Sequence, residues 1–213
     1  MMPKKNDLKY IADNDFERSM QDVLKTEEVY RGMSVEKACF SGDLYGVSFS
    51  EDMFLSCAFD KVCFVNASFN KCRFVSCDFS GCDFENAYFH SCDFENCKGL
   101  GTLFCSSVSY SCTFSGCNLS FSNFNKAKLE DAVFEDCRLN DATLSECKTK
   151  RLCLKECALC ACSFFKTSLS GVDITSCNIS GIILSDNLSE LRGAVISPEQ
   201  AEIVAKMVGV KIE

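Results

Sequence analysis

Four cysteines spaced Cys153-x3-Cys157-x2-Cys160-x-Cys162 are the residues of this chain best suited to chemistry. Thiols so close in sequence suit a zinc or redox site. His90 is the only imidazole. Carboxylates gather in two groups, Glu130, Asp131, Glu135, Asp136 and Asp141, and Asp83, Glu85, Asp93 and Glu95. These nine are the candidates for an acidic partner-binding surface. No Ser-His-Asp set, Gly-rich phosphate loop or Cys-His pair accompanies them.

What these residues can do depends on the elements that hold them. Every fifth residue from Leu44 to Leu184 is apolar except Gly99, Ser109 and Thr149, and the register never slips. A period of five fits neither the helix period of 3.6 nor the strand period of 2, so the chain is a repeat protein. Two residues before each centre stands a second small or apolar position, giving the unit (Ala/Cys)-polar-(Phe/Leu)-polar-polar.

The stretches CDFSGCDFENAYFHSCDFEN (77–96) and NKAKLEDAVFEDCRLNDATL (125–144) repeat that unit, and there the chain resembles the pentapeptide-repeat family. The resemblance implies an all-β fold, a right-handed quadrilateral β-helix of about seven coils of twenty residues, stacked at the strand spacing of about 4.8 Å. It divides the chain into an N-terminal cap and entry strand (1–40), the solenoid (41–187) and a C-terminal helix-strand cap or dimerisation module (188–213). Asp13 to Thr26 reads as a short helix within the first cap, and residues 28–41 as a strand entering the first coil.

In this frame the small position points inward near a corner. One column of it is all cysteine: Cys57, Cys77, Cys97, Cys117, Cys137, Cys157 and Cys177. Thirteen of the eighteen cysteines occupy such positions, where cysteine serves as a small apolar filler. Stacked thiols with near-parallel Cβ vectors about 4.8 Å apart exceed the usual disulfide range of about 3.5–4.5 Å. Free thiols and a reducing, cytoplasmic home are expected, and the start of the chain has no apolar segment of a secretory signal. Cys157 and Cys162 point inward on different sides while Cys153 and Cys160 face out, so the four sulfurs cannot share one metal. His90 follows a centre and faces outward. No metal, cofactor or catalytic residue is expected, and the chain is read as non-enzymatic.

The net charge of −8 argues against direct nucleic-acid binding, and no apolar run is long enough to span a membrane. The C-terminal end reads as Ser197 N-cap, Pro198 at N1 and Gln200 at N3, with Ala201, Val204, Ala205 and Val208 on one helix face, Gly209 at C′ and a brief strand at Val210–Ile212. This module resembles that of the Qnr and MfpA quinolone-resistance proteins, where it makes the homodimer. A monomeric cap over the last coil is the alternative. The same resemblance implies DNA mimicry and binding of DNA gyrase or topoisomerase IV. A protein-binding scaffold of other role is the alternative. In many Qnr proteins loops interrupt the coils and are needed for protection. Here no insertion breaks the register, and the stretch 98–111, holding Gly99 and Ser109, is its weakest part.

Overall fold

A chain that buries one side chain in every five residues must turn a corner in every five. The computed structural model, which describes residues 9–11 and 30–212, closes four such sides into each coil. Parallel strands a coil apart pair at an offset of twenty, as in Phe74↔Phe94 and Phe69↔Phe89. One side is an eight-stranded sheet running from Lys9–Ile11 through Met33–Glu36 to Cys153–Lys155. The next side is a seven-stranded sheet from Tyr30–Arg31 to Lys148–Lys150. The other two sides are joined mostly by single bridges such as Asp78↔Lys98 and Asp83↔Leu103. The result is the expected quadrilateral β-helix.

Every corner residue two places after a centre from Gly46 to Gly171 takes the left-handed conformation, for example Asn86, Asp136 and Phe121. Glycine adopts that conformation without cost, whereas other residues lose roughly 1–2 kcal/mol. The cost is offset by the ladder and by the core it makes possible. Phenylalanine rings one coil apart stack in parallel with centroids 4.5–5.3 Å apart, as in Phe94 on Phe114 and Phe49 on Phe69. Rings on adjoining sides meet edge to face, as in Phe54 with Phe49. Each such pair contributes about 0.5–1.5 kcal/mol beyond its burial.

The stack begins earlier than the five-residue series. Strands at 30–31, 33–36 and 39–43 already form sides of a coil, and there the offset is nineteen, as in Tyr30↔Phe49 and Val35↔Phe54. A bulge between Ser41 and Asp43 restores the offset of twenty. Asp52 marks this shorter coil. It stands fully buried at a small inward position and accepts from the N–H groups of Met33 (2.8 Å) and Ser50 (2.9 Å). The helix expected over Asp13–Thr26 lies outside the described residues.

The stretch 98–111 is as regular as the rest, with bridges at Lys98 and Leu103 and a strand at Val108–Tyr110. Gly99 occupies a centre that needs no side chain. A Cβ there would collide with Phe79 Cε2 and lie 2.8 Å from Leu119 Cδ2, so the two neighbours already fill the space.

The last coil is closed by polar groups as well as apolar ones. Buried Glu190 accepts from the Lys166 N–H (2.7 Å) and Ser185 Oγ (2.8 Å). Helix Pro198–Met207 begins with the expected capping box between Ser197 and Gln200. Gln200 Nε2 then donates to the carbonyls of Ile174 (2.7 Å) and Cys177 (2.8 Å). Ile203, Leu191 and Ile196 add apolar cover. The expected face of Ala201, Val204, Ala205 and Val208 is therefore not the one that seals the core: Ala201 and Val208 are exposed, Val204 and Ala205 half-buried. Gly209 does take the left-handed conformation, at φ +80°. Residues 210–212 form no strand, a correction to the expectation, because no neighbouring edge pairs with them.

Two outcomes are expected. Gly99→Ala overpacks the core and costs about 1–3 kcal/mol in denaturant unfolding; an unchanged midpoint would show that Phe79 can tip aside. Burial raises Asp52 from the usual carboxylate value to about 7 despite the N–H groups of Met33 and Ser50, with Glu51 adding to the rise and Gly32 N–H opposing it. A carboxyl raised on folding contributes its full stability below about pH 4 and loses it as pH rises through about 7. Amide exchange around residues 31–36 is therefore faster at pH 8 than at pH 5 after correction for intrinsic rates, and Asp52→Asn flattens the difference. Equal profiles for the two proteins would remove Asp52 from control.

Candidate functional site

The inward thiols do more than fill space. All seven cysteines of the single column donate to a central carbonyl of the coil beneath: Cys77 to Phe54 O, Cys97 to Phe74 O, Cys117 to Phe94 O, Cys137 to Phe114 O and Cys157 to Phe134 O, each at 3.3 Å. Cys57 and Cys177 do the same to Val35 O (3.5 Å) and Leu154 O (3.6 Å). Threonine can take the position and make the same bond, as Thr102 does to Phe79 O (2.9 Å). Thr167 donates to Leu144 O (2.5 Å) and also accepts from the Cys147 N–H (2.8 Å). The reading of cysteine as a purely apolar filler is thus corrected. The thiol is a small side chain that also bonds one coil to the next.

Burial pushes Cys82 up to about 12 and Cys147 to about 11, while hydrogen bonds between stacked thiols of the single column raise Cys97 and Cys137 and lower Cys77, Cys117 and Cys157 between them. All eighteen cysteines are free. Of the four in the metal-like motif, Cys157 and Cys162 are buried, Cys160 is half-buried and Cys153 is exposed. Among the described residues no group of three or more metal-ligating side chains converges. His90 is half-buried on an outward face, with Nδ1 3.1 Å from Asn70 Oδ1 and its ring parallel to Tyr88.

The nine acidic candidates do not share one surface. Asp83 and Glu85 flank the centre Phe84, Glu130 and Asp131 follow Leu129, Asp93, Glu95, Glu135 and Asp136 lie on the eight-stranded side, and Asp141 turns the corner after Leu139. Most are paired across coils. Lys150 reaches Glu130 (2.6 Å), Lys155 reaches Glu135 (2.5 Å), Arg73 reaches Glu95 (2.5 Å), and Arg151 clasps Asp131. Hydrogen bonds from Lys150 and Arg151 hold Glu130 and Asp131 below the usual carboxylate range. Asp83 spends one oxygen on the Glu85 N–H (2.8 Å).

These pairs follow a rule that the five-residue pattern hides. Residues twenty apart are stacked neighbours, and at that spacing opposite charges recur: Arg31 with Glu51, Glu51 with Lys71, Glu130 with Lys150, Asp131 with Arg151, Glu135 with Lys155 and Glu146 with Lys166. A sequence signal existed, namely charge reversal at twenty residues. Exposed pairs of this kind contribute little individually, so their main effect is to set the field of each side.

That field is segregated. The eight-stranded side carries six carboxylates (Glu36, Asp93, Glu95, Glu135, Asp136, Glu156) against four cations (Lys9, Lys37, Arg73, Lys155). The adjoining seven-stranded side carries six cations (Arg31, Lys71, Lys128, Lys148, Lys150, Arg151) against three carboxylates (Glu51, Glu130, Asp131).

Comparison with known proteins gives a consistent frame. A family model described as a pentapeptide repeat region matches residues 87–164 and 108–184, and one described as pentapeptide repeats (8 copies) matches residues 63–98. No curated protein matches the chain. Among solved structures it is similar to a trypsin-treated form of QnrB1, a plasmid-mediated fluoroquinolone resistance protein, with 16% identity over 84% of this chain and 99% of that one and a TM-score of 0.43. It is also similar to HetL, a pentapeptide repeat protein involved in heterocyst differentiation regulation from the cyanobacterium Nostoc sp. strain PCC 7120. The identity there is 14% over 83% of this chain and 95% of that one, with a TM-score of 0.33.

The burial pattern predicts thiol reactivity. With a bulky disulfide reagent, Cys39 and Cys153 react fast in the native protein, and Cys63, Cys105 and Cys160 slowly. The thirteen inward thiols react only with global unfolding. Rapid native reaction of more than these five would refute the buried columns.

Proposed function

The chain belongs to the pentapeptide-repeat family, and we propose that it is a non-enzymatic scaffold that binds a protein partner along the sides of a rigid rod. The observation that carries this reading is the uneven charge of the sides, with six carboxylates against four cations on one sheet and six cations against three carboxylates on its neighbour. A partner reading such a rod meets a regular row of side chains with little conformational freedom left to lose, which favours binding. The groups best suited to catalysis are already engaged: the thiols of the all-cysteine column bond core carbonyls, and His90 contacts Asn70.

The acidic side favours a type II topoisomerase, DNA gyrase or topoisomerase IV, as the partner. A rod with excess carboxylates on one face can enter a basic saddle built for duplex DNA, whose own charge density is about one per 1.7 Å. Arg73 and Lys155 interrupt the carboxylate row, so the mimicry is one-sided and partial. The outward apolar residues at the C-terminal end, Val208, Val210 and Ile212, favour a second copy of the chain as their cover over a plain monomeric cap.

The test is a gyrase supercoiling assay with and without the protein. The expected outcome is a dose-dependent change in supercoiling or in its quinolone sensitivity, weakened about tenfold by the combined changes Glu95→Lys, Glu135→Lys and Asp136→Lys. No binding and no effect on either enzyme would end the topoisomerase reading and leave a scaffold for another protein.

A further inference from the structure

We propose that the all-cysteine column is a ladder of linear, two-coordinate sites for a divalent thiophilic cation, of which mercuric ion is the type. The proposal is independent of the scaffold reading and of the acidic side. Seven thiols stand one to a coil from Cys57 to Cys177, all of them buried. The backbone pins each directly over the last. The N–H after each cysteine bonds the carbonyl of the cysteine beneath, Lys98 to Cys77 at 2.8 Å, and Asn118 to Cys97 and Arg138 to Cys117 at 2.9 Å. Neighbouring thiols are within reach of each other, Cys77 of Cys57 and Cys97, and Cys117 of Cys97 and Cys137. Cys72, Cys92 and Cys112 form a second, shorter stack of the same kind.

Spacing selects the coordination. Two metal–thiolate bonds of about 2.3 Å placed end to end span about 4.6 Å, close to the coil spacing of about 4.8 Å. Each link of the ladder thus offers two sulfurs along the rod axis. It offers no third ligand, because among the described residues no group of three or more metal-ligating side chains converges. An ion that needs four tetrahedral ligands, such as zinc, does not fit a link.

Charge selects the ion. No Lys or Arg is buried among the described residues, so nothing in the core can balance an anion. Loading a link replaces two S–H bonds by two S–metal bonds and releases two protons to solvent. With a divalent ion the product is a neutral bis-thiolate, which an apolar core accepts. With a monovalent ion it is an anion, whose burial is costly. Each thiol gives up one weak S–H donation, such as that of Cys117 to Phe94 O. The long column holds at most three links and the short stack one, so four ions fill the chain. Cys82, Cys147 and Cys162 have no thiol one coil above or below and take none.

The experiment uses the full chain with the five outward cysteines, Cys39, Cys63, Cys105, Cys153 and Cys160, changed to serine. The protein is held just below its unfolding midpoint with mercuric chloride and excess glutathione, then returned to native conditions. About four ions per folded chain are expected by native mass measurement, with the near-ultraviolet charge-transfer absorption of a two-coordinate bis-thiolate and a raised melting temperature. Two triple variants with equal numbers of column thiols separate stacking from thiol content. Cys77→Ala with Cys117→Ala and Cys157→Ala leaves no adjacent pair in the column and is expected to keep only the ion of the short stack. Cys57→Ala with Cys77→Ala and Cys97→Ala leaves four adjacent thiols and is expected to keep about three ions. Alanine already stands at this inward position in Ala132 and Ala142, so both variants retain the fold. Equal loading of the two variants would overturn the ladder. So would mercury that unfolds the chain, or zinc that loads to the same stoichiometry. If either variant fails to fold, the parent chain decides alone, and no ion retained against glutathione overturns the proposal. The supercoiling assay tests the topoisomerase reading separately.

Discussion

The whole molecule depends on one constraint: each residue must lie directly above the residue one coil earlier, at the spacing of paired strands. That spacing is also close to the distance at which phenyl rings stack offset, so backbone hydrogen bonding and ring packing are satisfied by the same repeat, as between Phe74 and Phe94 at 4.8 Å. Because each coil touches only its neighbours, stability accumulates coil by coil. A local fault is therefore judged by the two coils beside it, which is why Gly99 sits comfortably between Phe79 and Leu119.

The same constraint explains the abundance of cysteine. Most inward corners hold a side chain of one or two heavy atoms, and a carbonyl of the coil beneath is within reach. Alanine fills the room without bonding, threonine bonds with a larger side chain, and cysteine does both at modest hydrogen-bond strength. Asp52 is the charged extreme of the same role, serving backbone N–H groups where the first coil is one residue short.

Much of this was legible in the residues. The period of five, the twenty-residue coil, the inward columns and the capping box at Ser197 all follow from spacing and residue type. Three features were hidden for physical reasons. The coil before Leu44 has an offset of nineteen, so residues such as Val35 and Phe40 fall out of phase with the later series. The thiol bonds depend on rotamers, which size and polarity alone do not reveal. The sealing face of the terminal helix is centred on Gln200 and Ile203, because the last coil presents free carbonyls, and hydrophobic periodicity points instead to Val204 and Val208. Among the acidic candidates, type and number were readable, but their neutralisation was not apparent until residues twenty apart were seen as neighbours.

Gln200 has a consequence for size. A stack of identical coils is a one-dimensional crystal, and nothing in its repeat says where growth should stop. Each finished coil is a template for the next, whether that next layer comes from the same chain or from another. By occupying the carbonyls of Ile174 and Cys177 with one amide, Gln200 acts as a growth inhibitor adsorbed on the terminal layer. The length of the rod is thus set by non-repeating residues at its end, Gln200 and Glu190 among them, rather than by the repeat itself.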